Sequence, residues 1–347
     1  MSSTANNFGG QLHVSLSLSN NRVQGVDIQS TRPNGATEVF VGQSPSVVTS
    51  TLGMLFSLCG RAQTIAALMA VENAQGLHIT PEHAAARTIL RQAEMLSQTA
   101  MRICLDWPRL LGLDNQASVV RACLGAETEL ENALFNGATW KIPGGVGADL
   151  NVNSVKDLIH HLQEEVIAPV LNTGGLADDL RHTLTDLNLN GFGKLTDIDL
   201  LEDGALRRHW DTPTVQAARQ TYGIAMCARL EARLADLATL PISMMDATTT
   251  LGPLIPSSDT AHENGAGQAW VDTARGSLTH TVTITDGRVA AYTIAAPTDA
   301  NFAPNGPVAM GLMDADATDL KALIRAAELH VLSVDPCVQC IIEFQNV

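Results

Sequence analysis

The sequence has few aromatic residues and few basic ones. Phe, Trp and Tyr make up 4% of the 347 residues, so a core must be built mainly from Leu, Ala, Val and Ile. Such side chains suit closely packed helices. The 21 Lys and Arg residues against 36 Asp and Glu leave a net charge of −15. Because nucleic acids and anionic membranes repel an acidic surface, we expect neither as a partner.

The sequence also lacks the segments that direct a chain into or across a membrane. It contains no run of about eighteen apolar residues, which a spanning helix would need. The stretch from Met1 to Asn7 has neither a basic region nor an apolar one, so it does not resemble a secretory signal. We therefore expect a cytoplasmic protein. In that reducing compartment the cysteines are expected to be thiols or metal ligands and not disulfides.

The spacing of apolar residues predicts a mainly α-helical chain with peripheral β-hairpins, of the α+β class. Alternating residues predict hairpins over 11–30 and around Asp286-Gly287. Helical spacing, capping residues and prolines predict helices at 46–73, 80–104, 117–135, 154–171, 212–239 and 315–332. We expect a single domain over residues 1–347, with a variable surface insertion at about 172–211, where the chain is polar.

The most informative chemical pattern is the Cys-x-x-Cys pair of Cys337 and Cys340, which follows Asp335-Pro336. Two thiolates at this spacing reach one soft metal or each other. A closed zinc site needs two more ligands, and a thioredoxin-like pair would begin a helix in a βαβ unit. Neither context is present, so a metal site needs a partner from far upstream, for which Cys59 is the candidate. Inert buried thiols are the alternative.

The ordered motifs resemble the large subunit of nickel–iron hydrogenases, and most of all its non-catalytic relatives, the HupK/HoxV family of hydrogenase maturation proteins. The resemblance runs over nearly the whole chain, and it implies a large-subunit-like helical body. It rests on the segments Gly10-Gln11-Leu12, Phe56-Ser57-Leu58-Cys59-Gly60, Leu105-Asp106-Trp107, Pro143-Gly144-Gly145-Val146, 273–280 and 335–340.

The resemblance implies metal-binding roles for three cysteines. In the large subunits, two Cys-x-x-Cys motifs supply four thiolates to nickel and to an iron that carries carbon monoxide and two cyanides. Cys59 and Cys337 match the positions that bind nickel alone. Cys340 matches one of the positions that bridge nickel and iron.

Three further residues match the surroundings of that metal centre. Arg275 matches an arginine beside the cyanides, and a structural salt bridge is its alternative role. Asp106 and Asp335 match aspartates of the outer shell, although Asp106 also fits a plain surface acid. The resemblance therefore implies that these three residues bind the cyanide- and carbonyl-bearing unit.

The chain departs from the catalytic pattern at three positions. Ala62 stands at the other bridging position and has no donor atom, so four thiolates become three. Gly9 stands where the catalytic family has a functional glutamate. Glu343 replaces the histidine at which a maturation protease cuts, and four residues follow it, so we expect no cleavable tail.

These departures imply a protein that assembles a metal centre without using it for catalysis. Soft thiolates suit low-valent iron, and three of them can hold one iron fragment but not a doubly bridged pair of metals. We therefore expect a non-catalytic scaffold that transiently holds or transfers the Fe(CN)2(CO) unit, with no stable nickel. The implied partners are the maturation proteins that assemble this unit and the hydrogenase large-subunit precursor. A metal-free docking protein that mimics the large subunit, and a degenerate hydrogenase-like enzyme subunit, are the alternatives.

Overall fold

The computed structural model describes residues 10–31, 35–136, 140–196 and 202–346; Gly9 and residues 197–201 lie outside this part. The strands are β1 (Gln11–Ser19), β2 (Arg22–Ser30), β3 (Gly265–Thr273), β4 (Gly276–Thr285), β5 (Arg288–Ala295) and β6 (Gln339–Asn346). The α-helices are α1 (Pro45–Leu55), α2 (Gly60–Gln75), α3 (Pro81–Met101), α4 (Trp107–Leu111), α5 (Ala117–Phe135), α6 (Val152–His161), α7 (Ala168–Leu171), α8 (Leu176–Asp186), α9 (Ala205–Arg208), α10 (Pro213–Tyr222), α11 (Met226–Ala247), α12 (Pro297–Asn301), α13 (Pro307–Leu312) and α14 (Leu320–Val334). The α+β class, with a helical body and small sheets, is confirmed.

Helix α3 is the centre of the helical body and packs against α2, α5 and α11. Its predicted start is confirmed: the Thr80 side chain accepts a hydrogen bond from the His83 backbone N–H, and Pro81 occupies the first turn. The core around it consists mainly of Leu, Ile, Val and Ala, with Trp107 fully buried. Closely packed aliphatic side chains therefore fill the core in place of aromatic ones.

The single helix expected over 46–73 is wrong at its middle. Helix α1 ends at Leu55, α2 begins at Gly60, and the chain bends by 97° between them. A Cβ added at Gly60 would lie 2.7 Å from the carbonyl oxygen of Gly53, so only glycines allow the two backbones to meet so closely. The bend places Cys59 at the N-cap of α2.

Two other helices differ from the expected lengths. The helix expected over 212–239 is two helices, because Gly223 adopts φ 83° between α10 and α11. After α3, a π-helical turn at Arg102–Asp106 leads into α4, which carries Pro108 in its first turn and ends at Leu111. Proline is tolerated in a first turn because its missing N–H is not needed there.

Both predicted hairpins are present, and each belongs to a three-stranded sheet. In the first sheet, β6 adds to the β1–β2 hairpin as a parallel strand and places Cys340 opposite Leu12. In the second, the turn between β4 and β5 uses Asp286 and Gly287 at positive φ. Strands β3 and β6 were not predicted. The C-terminal Cys-x-x-Cys motif thus lies between the end of α14 and a sheet strand.

The insertion expected at about 172–211 stays a prediction. Helix α8 lies within it and fully buries Leu180 and Leu184, with Leu176 at 3% exposure. This helix contacts α4, α7 and α11. Part of the stretch therefore contributes to the core.

Within the described part of the chain, no single helix has both the length and the apolar composition to cross a membrane. The bent pair formed by α1 and the segment Ser57–Gln75 meets those two criteria only when its halves are taken together. In α2, Ala66, Leu68 and Ala70 are fully buried against the rest of the chain. The apolar character of this pair is accounted for by core packing.

Candidate functional site

A cavity of about 520 Å³ opens where the α1–α2 bend, the second sheet and the C-terminal motif meet. We call it the thiol cavity, because Cys59 and Cys337 both line it. Arg275 and Gln63 line it as well, and much of the remaining wall is apolar. The structure therefore brings together three of the six residues that the sequence indicated, although Cys59 and Cys337 are far apart in the chain.

Cys340 lies in a neighbouring cavity. This Cys340 cavity measures about 410 Å³ and is also lined by Asp106 and Arg109. Val338 and Gln339 line both cavities. Among the described residues, no group of three or more His, Cys, Asp or Glu side chains is arranged to hold a metal ion. The structure thus places two of the predicted thiols together and the third on the other side of the motif.

Cys59 is buried at the bend between α1 and α2. Its pKa is raised to about 12, mainly by burial and also by the nearby Glu94, while Arg275 opposes this rise. The Gln63 Nε2 donates a hydrogen bond to the Cys59 Sγ at 3.6 Å. At neutral pH the thiol is protonated, so binding a metal must release that proton. Burial likewise raises the pKa of Cys340 to about 12.

No disulfide joins the six cysteines, all of which lie in the described part of the chain. Cys104 and Cys123 are buried in the helical core. Burial raises the pKa of each of these two thiols to about 12. Neither of them lines the thiol cavity.

The position that lacks the bridging cysteine is occupied by the start of α2. The Glu94 carboxylate, on α3, accepts hydrogen bonds from the backbone N–H groups of Arg61 and Ala62 at 2.8 and 2.9 Å. It therefore satisfies two of the N–H groups that a helix start leaves unpaired. Burial raises the pKa of Glu94, although these two hydrogen bonds lower it. The Ala62 side chain is fully buried. Sequence reasoning missed Glu94, because nothing local in α3 marks a residue that caps another helix.

Asp335 is the buried centre of an arginine cluster. Its Oδ1 lies 2.7 Å from the Nε of Arg102 and 3.4 Å from the Nε of Arg275, and its Oδ2 lies 3.5 Å from the Nη1 of Arg233. Burial alone would raise its pKa, but the three guanidinium groups outweigh burial and hold the pKa at about 2. Asp335 thus carries a permanent negative charge two residues before Cys337.

Asp106 reaches this cluster through Arg102. The Arg102 Nη1 lies 2.6 Å from the Asp106 Oδ2, while its Nε binds Asp335. The two residues stand at the ends of the π-helical turn, a feature that is frequent at functional sites. Asp106 therefore lies in the Cys340 cavity and contacts the thiol cavity only indirectly. Arg102 could have been found from the sequence, because it precedes Asp106 by four residues, the spacing at which helical side chains meet.

Arg275 is 3% exposed and is held in place between two cavities. Its Nη1 donates to the Gln98 Oε1 at 2.6 Å, and the Gln98 amide in turn donates to the carbonyl of Leu58. Besides the thiol cavity, Arg275 lines a cavity of about 440 Å³ near Glu127. Its guanidinium is thus fixed by hydrogen bonds and by Asp335 before any ligand is bound.

The Pro143–Val146 motif has a different role, since it does not line the thiol cavity. The Gly144 N–H donates to the Glu72 carboxylate at 2.9 Å, and the same carboxylate forms a buried ion pair with Arg87 at 2.7 and 2.8 Å. The Val146 N–H lies 3.0 Å from the Nε2 of His83. This segment anchors the loop after α5 onto α2 and α3.

Comparison with known proteins agrees with these motifs. The nickel-dependent hydrogenase family matches over residues 205–343. The hydrogenase expression/formation protein HupK of Azotobacter vinelandii is 27% identical over 356 residues, which cover 95% of this chain and 97% of that protein. The hydrogenase expression/formation protein HoxV of Cupriavidus necator is 26% identical over 362 residues, covering 91% and 92%. Over nearly its whole length, the chain is similar to these hydrogenase expression/formation proteins.

Solved structures of nickel-containing hydrogenases share the fold of this chain. The Ni-Fe-Se hydrogenase of Desulfomicrobium baculatum superposes with a TM-score of 0.73 at 15% identity, over 93% of this chain and 95% of that chain. The Ni-Fe-Se hydrogenase of D. vulgaris Hildenborough gives 0.71 at 13%, over 92% and 94%. These structures show the fold, which is that of the nickel–iron hydrogenase large subunit.

The family match covers the predicted site residues of this chain unequally. Four of them, from Arg275 to Cys340, lie within the range 205–343 that the nickel-dependent hydrogenase family matches. Cys59 and Asp106 precede that range. Their placement beside Arg275 and Asp335 therefore depends on the geometry described above.

Proposed function

We propose that the protein is a non-catalytic scaffold in hydrogenase maturation. It would hold the Fe(CN)2(CO) unit as cargo in the thiol cavity and pass it to a hydrogenase large-subunit precursor. The observation that carries this proposal is the convergence of Cys59, Cys337 and Arg275 on one cavity of about 520 Å³. The names of the similar proteins, which are hydrogenase expression/formation proteins, support the role in maturation.

The lining of the thiol cavity suits that cargo. Thiolates are soft ligands and bind low-valent iron well. A cyanide nitrogen is an electron-rich acceptor, and the guanidinium of Arg275 offers it charge-assisted donors. Because Gln98 and Asp335 already fix Arg275, its donors are oriented before the cargo arrives. The reducing cytoplasm is the compartment in which such thiols persist.

The separation of the cysteines suggests how the unit is released. Cys59 and Cys337 hold it in the thiol cavity, while Cys340 lies in its own cavity behind Val338-Gln339. Cys340 reaches the same iron once the segment 336–339 moves. A site with two thiolates in place and a third out of reach holds its cargo less tightly than one with four. Such a site suits transfer better than permanent retention.

The test is infrared spectroscopy of the protein, purified anaerobically from a host that makes active hydrogenase. We expect cyanide and carbonyl stretching bands, with iron and without stoichiometric nickel. The bands should disappear in Cys59→Ser and in Cys337→Ser. Cys340→Ser should keep the bands but fail to support hydrogenase maturation.

Cys227→Ser is the matched control, because Cys227 lies in the first turn of α11, packs against a separate apolar cluster and does not line the thiol cavity. It should leave both the bands and maturation unchanged. A wild-type protein without cyanide and carbonyl bands, combined with full maturation by a Cys59→Ser/Cys337→Ser variant, would favour a metal-free docking protein. Hydrogen uptake by the purified protein with bound nickel would favour an enzyme subunit. Either result would overturn the proposal.

A further inference from the structure

Gln63 is a buried side chain whose hydrogen bonding the fold does not explain. It lies in the first turn of α2, is 4% exposed and lines the thiol cavity. Its Nε2 donates to the Cys59 Sγ at 3.6 Å. Its Oε1 is buried and has no hydrogen-bond partner among the described residues. Leaving such an acceptor unsatisfied costs about 1–3 kcal/mol, so a glutamine here calls for an explanation.

Two other buried glutamines show what a structural role looks like. Gln98 uses both ends of its amide, which accepts from Arg275 and donates to the Leu58 carbonyl. Gln92 donates to the Ser243 hydroxyl at 2.7 Å and so ties α3 to α11. Gln63 instead donates to a neighbour on its own chain segment, four residues before it. Its hydrogen bond therefore adds little to the packing of one element on another.

We propose that Gln63 is a positioning residue for the cargo, acting through the sulfur of Cys59. This inference rests on the proposed function, because it takes Cys59 as a ligand of the iron unit. The Nε2–H group holds the sulfur in one orientation toward the thiol cavity. The Oε1 remains available to accept a hydrogen bond from a water inside that cavity.

The hydrogen bond also sets how strongly the sulfur donates electrons. A donor on a thiolate withdraws electron density from it and weakens its donation to a bound metal. Removing that donor from Cys59 should make the iron more electron-rich. A more electron-rich iron returns more density to its carbonyl and cyanide ligands, which weakens their internal bonds. Loss of the Gln63 amide should therefore lower the stretching frequencies of those ligands.

The first arm of the test compares Gln63→Leu with the wild type by infrared spectroscopy. We expect the carbonyl and cyanide bands of Gln63→Leu to move to lower wavenumber while the protein stays folded. Gln92→Leu is the matched control: its Oε1 is also buried and unpartnered, but Gln92 does not line the thiol cavity. It should leave the bands in place. Bands at unchanged positions in Gln63→Leu would overturn the inference.

The second arm uses cobalt(II) as the probe, so that the inference can fail or succeed separately from the proposed function. Cobalt(II) is added anaerobically to the reduced, metal-free protein, and the sulfur-to-cobalt absorption of Cys59 is isolated by subtracting the Cys59→Ser spectrum. Gln63→Leu should shift this absorption to longer wavelength. A wild type that binds cobalt but shows no carbonyl or cyanide bands would sink the proposed function alone. The absence of a Cys59-dependent absorption, or an absorption that Gln63→Leu leaves unmoved, would overturn the inference.

Discussion

Replacing Asp335 by asparagine tests the arginine cluster most directly. The side chain is fully buried and is the shared counter-charge of Arg102, Arg233 and Arg275. Asparagine keeps the shape but removes the negative charge, so it leaves buried guanidinium groups uncompensated. Breaking a buried ion pair in this way typically costs about 3–5 kcal/mol. We expect Asp335→Asn to lower the free energy of unfolding at pH 7 by an amount in that range.

The lowered pKa of Asp335 gives a second estimate of how much its negative charge stabilises the folded protein. The pKa of Asp335 falls from an ordinary value of 3.8 to about 2 in the folded protein. The difference, 3.8 − 2, corresponds to about 2.4 kcal/mol at about 1.36 kcal/mol per pH unit. Because the folded pKa is the lower one, this stabilisation is present above pH 3.8. It is lost as the pH falls from 3.8 toward 2.

The assay is urea unfolding of the wild type and Asp335→Asn at pH 7 and at steps down to pH 3. Their difference in unfolding free energy should be constant above about pH 5 and should shrink below pH 3.8. Asp178→Asn is the control, since Asp178 pairs with Arg181 at the surface and should change the unfolding midpoint little. A loss below about 1 kcal/mol at pH 7, or a difference that grows in acid, would refute the reasoning.

Three further predictions concern the elements around the site. Gly60→Ala should destabilise the protein by about 1–3 kcal/mol in thermal unfolding, because its Cβ would meet the Gly53 backbone. Gly125, on α5, has open space around it, so Gly125→Ala should stabilise the protein by about 0.5–1 kcal/mol. Glu72→Gln should cost about 3–5 kcal/mol in urea unfolding by leaving Arg87 buried and unpaired, and an unchanged midpoint would contradict this. Burial lowers the pKa of His280 from 6.5 to about 3, so folding stability is lost as the pH falls below 6.5. Between pH 7 and pH 5, the unfolding free energy of the wild type should therefore fall by about 2 kcal/mol more than that of His280→Gln.

The sequence predicted the fold class, both hairpins, helix α5 and the start of α3. It did so because these elements are specified locally, by alternation, a turn such as Asp286-Gly287, or a cap such as Thr80. It missed the α1–α2 bend, because two glycines in close contact carry no local signal of which backbone they will meet. Strand β6 was missed for a similar reason, since it exists through pairing with β1.

The candidate site was also predicted only in part from the sequence. The motifs predicted Cys59, Cys337 and Arg275, and these three line one cavity. The motifs placed Cys340 with them, whereas it lines the neighbouring cavity, because the direction of a side chain near a strand start depends on the sheet it joins. Glu94 and Gln63 act on Cys59 through α3 and the first turn of α2, and only the packed helices bring them there.

The parallel pairing of β1 with β6 also has a consequence for how the chain acquires its shape. Gln11 and Gln339 hydrogen-bond across this pair although 328 residues separate them. During synthesis, the edge of β1 therefore stays unpaired until β6 has left the ribosome, and such long-range pairing forms slowly. The wall that carries Cys337 is completed at that same late moment. A chain shortened before β6 would leave the edge of β1 unpaired and prone to aggregation.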